Sequence, residues 1–174
     1  MIIRHATQIG DPTIRRRSKP ISKIVSSATK KIVQNLIDSM RYHELVGMAA
    51  PQIGINQRIF ITEIRKTKAR KPKDSDPVRI FINPRIIRCS KKQVFGYEAC
   101  GSVAYAGIFG SVKRSCEITV EAYDTKGKKF KLYAVGLLAR IIQHENDHLE
   151  GKVFLDRMAD MHSLKSREEY LKSR

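Results

Sequence analysis

The chain has 174 residues, with 34 Lys and Arg against 17 Asp and Glu and a formal net charge of +17. That length suits one domain, residues 1–174, able to bury about two-thirds of its unfolded surface, and no apolar run approaches the roughly 20 residues needed to span a membrane. Cys89, Cys100 and Cys116 are odd in number and too few for a disulfide framework, which fits a reducing compartment; the positive excess predicts attraction to polyanions such as RNA, set against the plainer reading of a solvated basic surface.

Met1-Ile2-Ile3-Arg4-His5 runs directly into the turn-forming Gly10-Asp11-Pro12, so no secretory or transit segment is expected. Residues 10–20 read as an irregular basic segment with one helical turn after Pro12. Ser22 is a candidate cap for a helix reaching about His43, because Val25, Ala28, Ile32, Leu36 and Met40 recur at threes and fours. Small residues and Pro51 then break the pattern. Gln52 stands in apolar surroundings, where its amide can donate to a developing negative oxygen or satisfy backbone in a turn.

Arg58 to Ile64 has strand character, and residues 65–77, with six Lys or Arg, read as an exposed loop. Val78 to Ile82 and Arg85 to Cys89 are two strands or one bent strand, divided by Asn83-Pro84. Cys100 lies between small residues that allow close backbone approach, although a buried structural cysteine is the ordinary reading. Residues 104–111, rich in Gly and Ala, read as a flexible surface loop. Alternation from Cys116 to Asp124, a turn at Thr125-Lys126-Gly127-Lys128 and a return through Phe130 to Ala134 predict a β-hairpin.

An apolar run, Val135 to Ile142, leads into Gln143-His144-Glu145-Asn146-Asp147-His148-Leu149-Glu150-Gly151. On a helix, residues four apart share a face, so His144 and His148 can aim both imidazoles at one divalent transition metal, with Glu145 beside them as a general base. A helix with a solvated polar face that happens to carry two histidines is the bland alternative. The third ligand stays open at this level. A polar helix is expected from about Met161 to Arg174, and its Glu168 would be the third ligand in a thermolysin-like peptidase.

Gly47-Met48-Ala49-Ala50-Pro51-Gln52, Glu98-Ala99-Cys100-Gly101-Ser102 and Gln143 to Gly151 together resemble, in order and spacing, the three signature stretches of peptide deformylases. The resemblance implies that Cys100, His144 and His148 bind one divalent metal, Fe2+ in the usual case with Zn2+, Ni2+ or Co2+ possible. It implies removal of the formyl group from N-formylmethionyl nascent peptides, with Glu145 moving the proton, and Gln52 and the backbone N–H of Gly101 holding the oxyanion. Gly47, Met48 and Ala49 would bind substrate. A cytoplasmic, bacterial location and ribosome contact through the basic surface follow, with Lys165, Arg167, Lys172 and Arg174 as the docking candidates. The chain departs from the pattern: Leu45 replaces a glycine, Ala99 and Gly101 replace Gly and Leu, Ala104 replaces Pro, and Phe109 falls where many relatives carry an Arg. Retained metal binding with altered peptide preference or weaker turnover is therefore expected. The contrasting reading is a non-catalytic basic protein that kept the fold and acts at the ribosome. The expected architecture is α+β, with mainly antiparallel strands around a central metal-bearing helix, an N-terminal amphipathic helix and a polar C-terminal helix.

Overall fold

The computed structural model describes residues 3–67, 72 and 74–173. Most of the basic tract between 65 and 74, along with Met1, Ile2 and Arg174, lies outside the described residues. The expected turn after Pro12 is α1, Pro12–Arg15, capped by the Asp11 side chain on Thr13 N–H. The amphipathic helix, α2, spans Ser27–Tyr42, and its cap is Ser26 rather than Ser22. The reason lies 62 residues away: the Asn83 side chain takes both the N–H and the C=O of Ile21 at 2.8 Å, which holds that stretch extended. Val25 therefore falls before the helix and is 64% exposed, while Val33, Leu36 and Met40 are buried.

Two antiparallel sheets flank the central helix. The larger has the order β1-β2-β3-β6-β7, formed by Gly47–Ala49, Ile59–Ile64, Asp76–Cys89, Glu117–Tyr123 and Lys129–Val135. β3 is the bent alternative: one strand that passes through Asn83-Pro84, with register shifts against β6 on either side of Arg85-Ile86. The predicted hairpin is β6–β7, with Ile118, Val120 and Ala122 facing the core and Asp124 Oδ1 accepting the turn's Lys126 and Lys128 N–H groups.

The smaller sheet has the order β4-β5-β8, formed by Gln93–Glu98, Ile108–Ser115 and Lys165–Ser166. Here the sequence reading is corrected twice. Residues 104–111 are not one flexible loop: a tight 3-10 turn, Ala104–Ala106, leads into β5, whose order comes from pairing along the whole of β4. Nor does a continuous helix run from Met161. A 3-10 turn, Met161–Ser163, is followed by β8 and only six residues of α4, Arg167–Lys172, because β5 recruits residues 165–166 as a partner strand.

Between the sheets runs α3, Gly136–Leu149, packed on β1, β2, β5 and β7. Ala139, Ile142 and Leu149 meet Phe60 and Phe81, whose rings stack at 4.7 Å, so the helix face opposite these contacts is left for other chemistry. Among the described residues no helix is long and apolar enough to cross a membrane.

The chain leaves α3 through Gly151, at φ +73, where an added Cβ would sit closer than 3.0 Å to the Arg15 carbonyl oxygen. Gly151→Ala combines left-handed strain with a backbone clash and costs about 3 kcal/mol. Calorimetry should show the Tm lowered by about 6–12 °C for a chain of this size; an unchanged Tm would mean that α1 does not pack against this turn.

Candidate metal centre

His144 and His148 lie one turn apart on α3, with ring centroids 5.2 Å from each other. Cys100 enters from the end of β4, placing Sγ 3.1 Å from His148 Nε2. One donor atom from each of the three residues falls within 4.8 Å of the others. Cys100 and His148 are buried at 2% and 0% exposure, so the trio is shielded from water except through the adjoining cavity. One thiolate and two imidazoles would suit a divalent transition metal, and the cavity that Cys100 and His144 line would give a substrate access to it. Glu168 stands apart, 77% exposed and paired with Lys172 at 3.0 Å, so it is not the third ligand.

The candidate ligands are aimed by residues behind them. His144 Nδ1 lies 2.9 Å from Glu98 Oε2, which puts the proton on Nδ1 and frees the Nε2 lone pair. Arg114 donates to both Glu98 oxygens at 3.0 Å and to Asp147 at 2.5 Å; Arg140 adds a 2.7 Å bond to Glu98. Arg157 completes the chain on Asp147. Burial pushes the Glu98 carboxyl up, but hydrogen bonds from His144 and Arg114 overcome it and hold the group well below its usual range. Burial likewise opposes ionisation of Asp147, and Arg157 and Arg114 prevail. Sequence reasoning gave none of these residues a role. A signal for Glu98 existed, because an extended strand places residues 98 and 100 on one face. Arg114 had no local signal, since its partners are 16 and 33 residues away.

Glu145 is 4% exposed, and one of its carboxylate oxygens has no protein partner. Burial raises its pKa to about 7, opposed by the neighbouring His144 and His148. The carboxylate fits because residue 47 is glycine: a Cβ there would approach closer than 3.0 Å to Glu145 Oε1 and Cγ. Gln52 combines both sequence readings. Its Oε1 accepts the Ala49 N–H at 2.8 Å, and this turns Nε2 toward Cys100 Sγ at 3.6 Å and Ser102 Oγ at 3.5 Å. Gly47, Gln52 and Gly101 line the cavity. Met48 and Ala49 do not reach it with their side chains, which are fully buried in the core. At Gly101 an added Cβ would meet Leu45 Cδ1 at 3.1 Å, so the leucine at 45 occupies the room that a side chain at 101 would need. The two departures in sequence are neighbours in space.

The polypeptide deformylase family profile matches residues 3–164. A peptide deformylase of Thermomicrobium roseum is 38% identical over 165 residues, 95% of this chain and 91% of the relative. The crystal structure of peptide deformylase from Thermotoga maritima superposes with a TM-score of 0.80 at 31% identity, covering 92% of this chain and all of that one. The Met-Ala-Ser-bound class I type b peptide deformylase from Acinetobacter baumannii gives a TM-score of 0.82 at 27% identity, covering 90% of this chain and all of that one.

If Glu98 aims His144, Glu98→Gln should weaken metal affinity by about 10–100-fold, the usual cost of losing such an outer partner. Competition against a chelator measures this, and affinity equal to wild type would show that His144 is positioned without Glu98.

Proposed function

The chain belongs to the polypeptide deformylase family, and we propose that its single metal site is Cys100, His144 and His148, with Glu145 as general base and the Gln52 amide and Gly101 backbone N–H as oxyanion donors. It is a metal-dependent hydrolase that removes the formyl group from the N-terminal formylmethionine of nascent polypeptides. The observation that carries the residue assignment is the convergence of one thiol and two imidazoles within 4.8 Å beside a carboxylate oxygen with no protein partner. The donor set fits the cation that the family requires; ferrous iron is the proposed native ion, and the same donors accept Zn2+, Ni2+ or Co2+. Bound there, a divalent cation supplies Lewis acidity toward water and the formyl oxygen.

The chain's own groups do the rest. Glu145 takes a proton from the attacking water and returns it to the departing amine, so one carboxylate serves as base and then acid. A group whose pKa lies near neutrality exchanges protons in both directions at low cost, and burial brings Glu145 to about 7. Gln52 Nε2 is pre-aimed because Oε1 is already committed to backbone. An extended peptide has an edge to pair with on either side: β1 and β4 each end their sheet in the strand order, and Gly47 and Glu98 both border the cavity. The contribution of Met48 and Ala49 is then through backbone alone. The related Acinetobacter protein holds a Met-Ala-Ser peptide, the product expected of a formyl-Met-Ala-Ser substrate.

Nascent-chain substrates imply work in the cytoplasm close to ribosomes, and the +17 charge supports attraction to ribosomal RNA. Because Leu45 fills the space opened at residue 101, the loss of the family's usual residues leaves the oxyanion donor supported, while Phe109 changes the lining that the peptide meets.

Glu145→Gln should keep one metal per chain and lose about 10²–10⁴-fold in kcat on formyl-Met-Ala-Ser, whereas Cys100→Ala should lose the metal itself; a Glu145→Gln enzyme with full turnover would remove the general base from this scheme. Gly101→Leu alone should lower kcat/KM about tenfold, and adding Leu45→Gly should recover most of it, because contacting residues couple. A double variant no better than the single one would show that the two positions are independent.

A further inference from the structure

We propose that the face formed by residues 16–31, the β6–β7 turn and the end of α3 is a docking surface for the phosphate backbone of folded RNA. This rests on the nascent-chain reading above, which brings the protein to ribosomes, and extends it by naming the face that makes the contact.

Residues 12–37 hold seven Lys or Arg and no Asp or Glu. Contacts with distant segments gather further cations around this stretch. The Lys19 carbonyl accepts the Arg58 N–H at 2.7 Å, and the Ser18 N–H donates to the Leu149 carbonyl at 2.8 Å, which lays the stretch along the C-terminal end of α3. Gly151 abuts the backbone of Arg15 and Arg16, so Lys152 emerges beside Arg16. The β6–β7 turn reaches Val25: a Cβ on Gly127 would meet Val25 Cγ2 at 3.2 Å, which brings Lys126 and Lys128 to the same part of the surface as Lys23.

Arg16, Lys19, Lys23, Lys126, Lys128 and Lys152 are exposed, and none has a carboxylate partner among the described residues. The neighbouring carboxylates are already engaged. Glu150 pairs with Arg17 at 3.0 Å and Arg58 at 2.7 Å, and Asp124 Oδ1 accepts the Lys126 and Lys128 N–H groups. α2 adds to the same field, because its positive end starts at this face, where the Thr29 hydroxyl donates to the Lys23 carbonyl at 3.0 Å. Its first turn holds no carboxylate, and its first charges are Lys30 and Lys31. Cations crowded on the positive end of a helix repel one another and the dipole, and a bound polyanion relieves that repulsion.

Flexible ammonium groups recognise phosphates as point charges and do not read bases. Spread over three segments, they match the repeated phosphates of a strand rather than one small anion. A lipid surface would call for apolar side chains that insert beside the cations, and Val25 is the one large apolar side chain exposed between residues 16 and 31. The substrate cavity is lined by Leu137, Arg140 and Ile141 in the first half of α3, whereas Glu150 and Lys152 follow the helix end, about 20 Å along its axis from Leu137. RNA held at the basic face therefore leaves the substrate opening free. α4 supplies no such face: Glu168 and Glu169 sit in its first turn and pair with Lys172 at 3.0 and 2.8 Å, so its charges nearly cancel.

The test uses full-length, metal-loaded protein, a fluorescent double-stranded RNA and purified ribosomes. Wild type should bind the RNA with an affinity that falls steeply as salt rises. Lys19→Gln, Lys23→Gln and Lys128→Gln together should weaken RNA binding about tenfold or more, cut the slope of log affinity against log salt by about 2–3 and lower ribosome co-sedimentation, with formyl-Met-Ala-Ser turnover held within about twofold. Lys91→Gln, Lys92→Gln and Lys113→Gln together remove the same charge from the β4–β5 side and should bind RNA as wild type does. No RNA binding by wild type, unchanged binding in the first triple variant, or equal losses in the two would overturn the docking face. Binding to phosphatidylglycerol vesicles but not to RNA would overturn the choice of partner. RNA binding that the first variant loses, in a protein with no formyl turnover, would strike the deformylase reading and uphold the face.

Discussion

Arg114 holds the centre together. Its guanidinium bridges Glu98 and Asp147, all three being about 95% buried in their side chains, and each carboxylate has a second duty: Glu98 orients His144, and Asp147 neighbours His148 and takes Arg157. Burying such charges is costly, and leaving one unpaired costs about 3–5 kcal/mol. The set is therefore tolerated only complete. That condition locks β4, β5 and α3 into one arrangement. Gln143 reinforces it by exchanging two hydrogen bonds with the Ser115 backbone, so the ends of β5 and α3 cannot slide. The proposed ligands, Cys100 just past β4 and His144 and His148 on α3, inherit their positions from this pairing.

On the other side of the helix the constraint is space rather than charge. A Cβ at residue 47 on β1 would run into the Glu145 side chain of α3, so the room left by glycine is filled by that carboxyl. Close packing removes water from that carboxyl and raises its pKa to about 7. The glycine at 47 thus gives a buried carboxyl its room, with Gln52 held alongside by a bond to the same strand.

Charge and function separate along the molecule. The chain is strongly basic overall, but the basic groups around the metal centre, Arg114, Arg140 and Arg157, are all taken by carboxylates or carbonyls. Inside, arginine acts as structural cement.

Sequence alone determined the family and the candidate donors. Helical spacing put His144 and His148 on one face with Glu145 between them, alternation predicted the β6–β7 hairpin, and the ordered resemblance brought in Cys100 and Gln52. These are local properties of period and residue type, and they survive without a partner. Tertiary structure decided what depends on distant segments: the late start of α2, imposed by Asn83 on Ile21; the conversion of residues 108–111 from apparent loop to strand by β4 and β8; the approach of Leu45 to Gly101; and the recruitment of residues 165–166 as a strand beside β5. A side chain paired across tens of residues leaves no period in the sequence, because its meaning is fixed only when burial makes an unpaired charge or an empty volume too costly to keep.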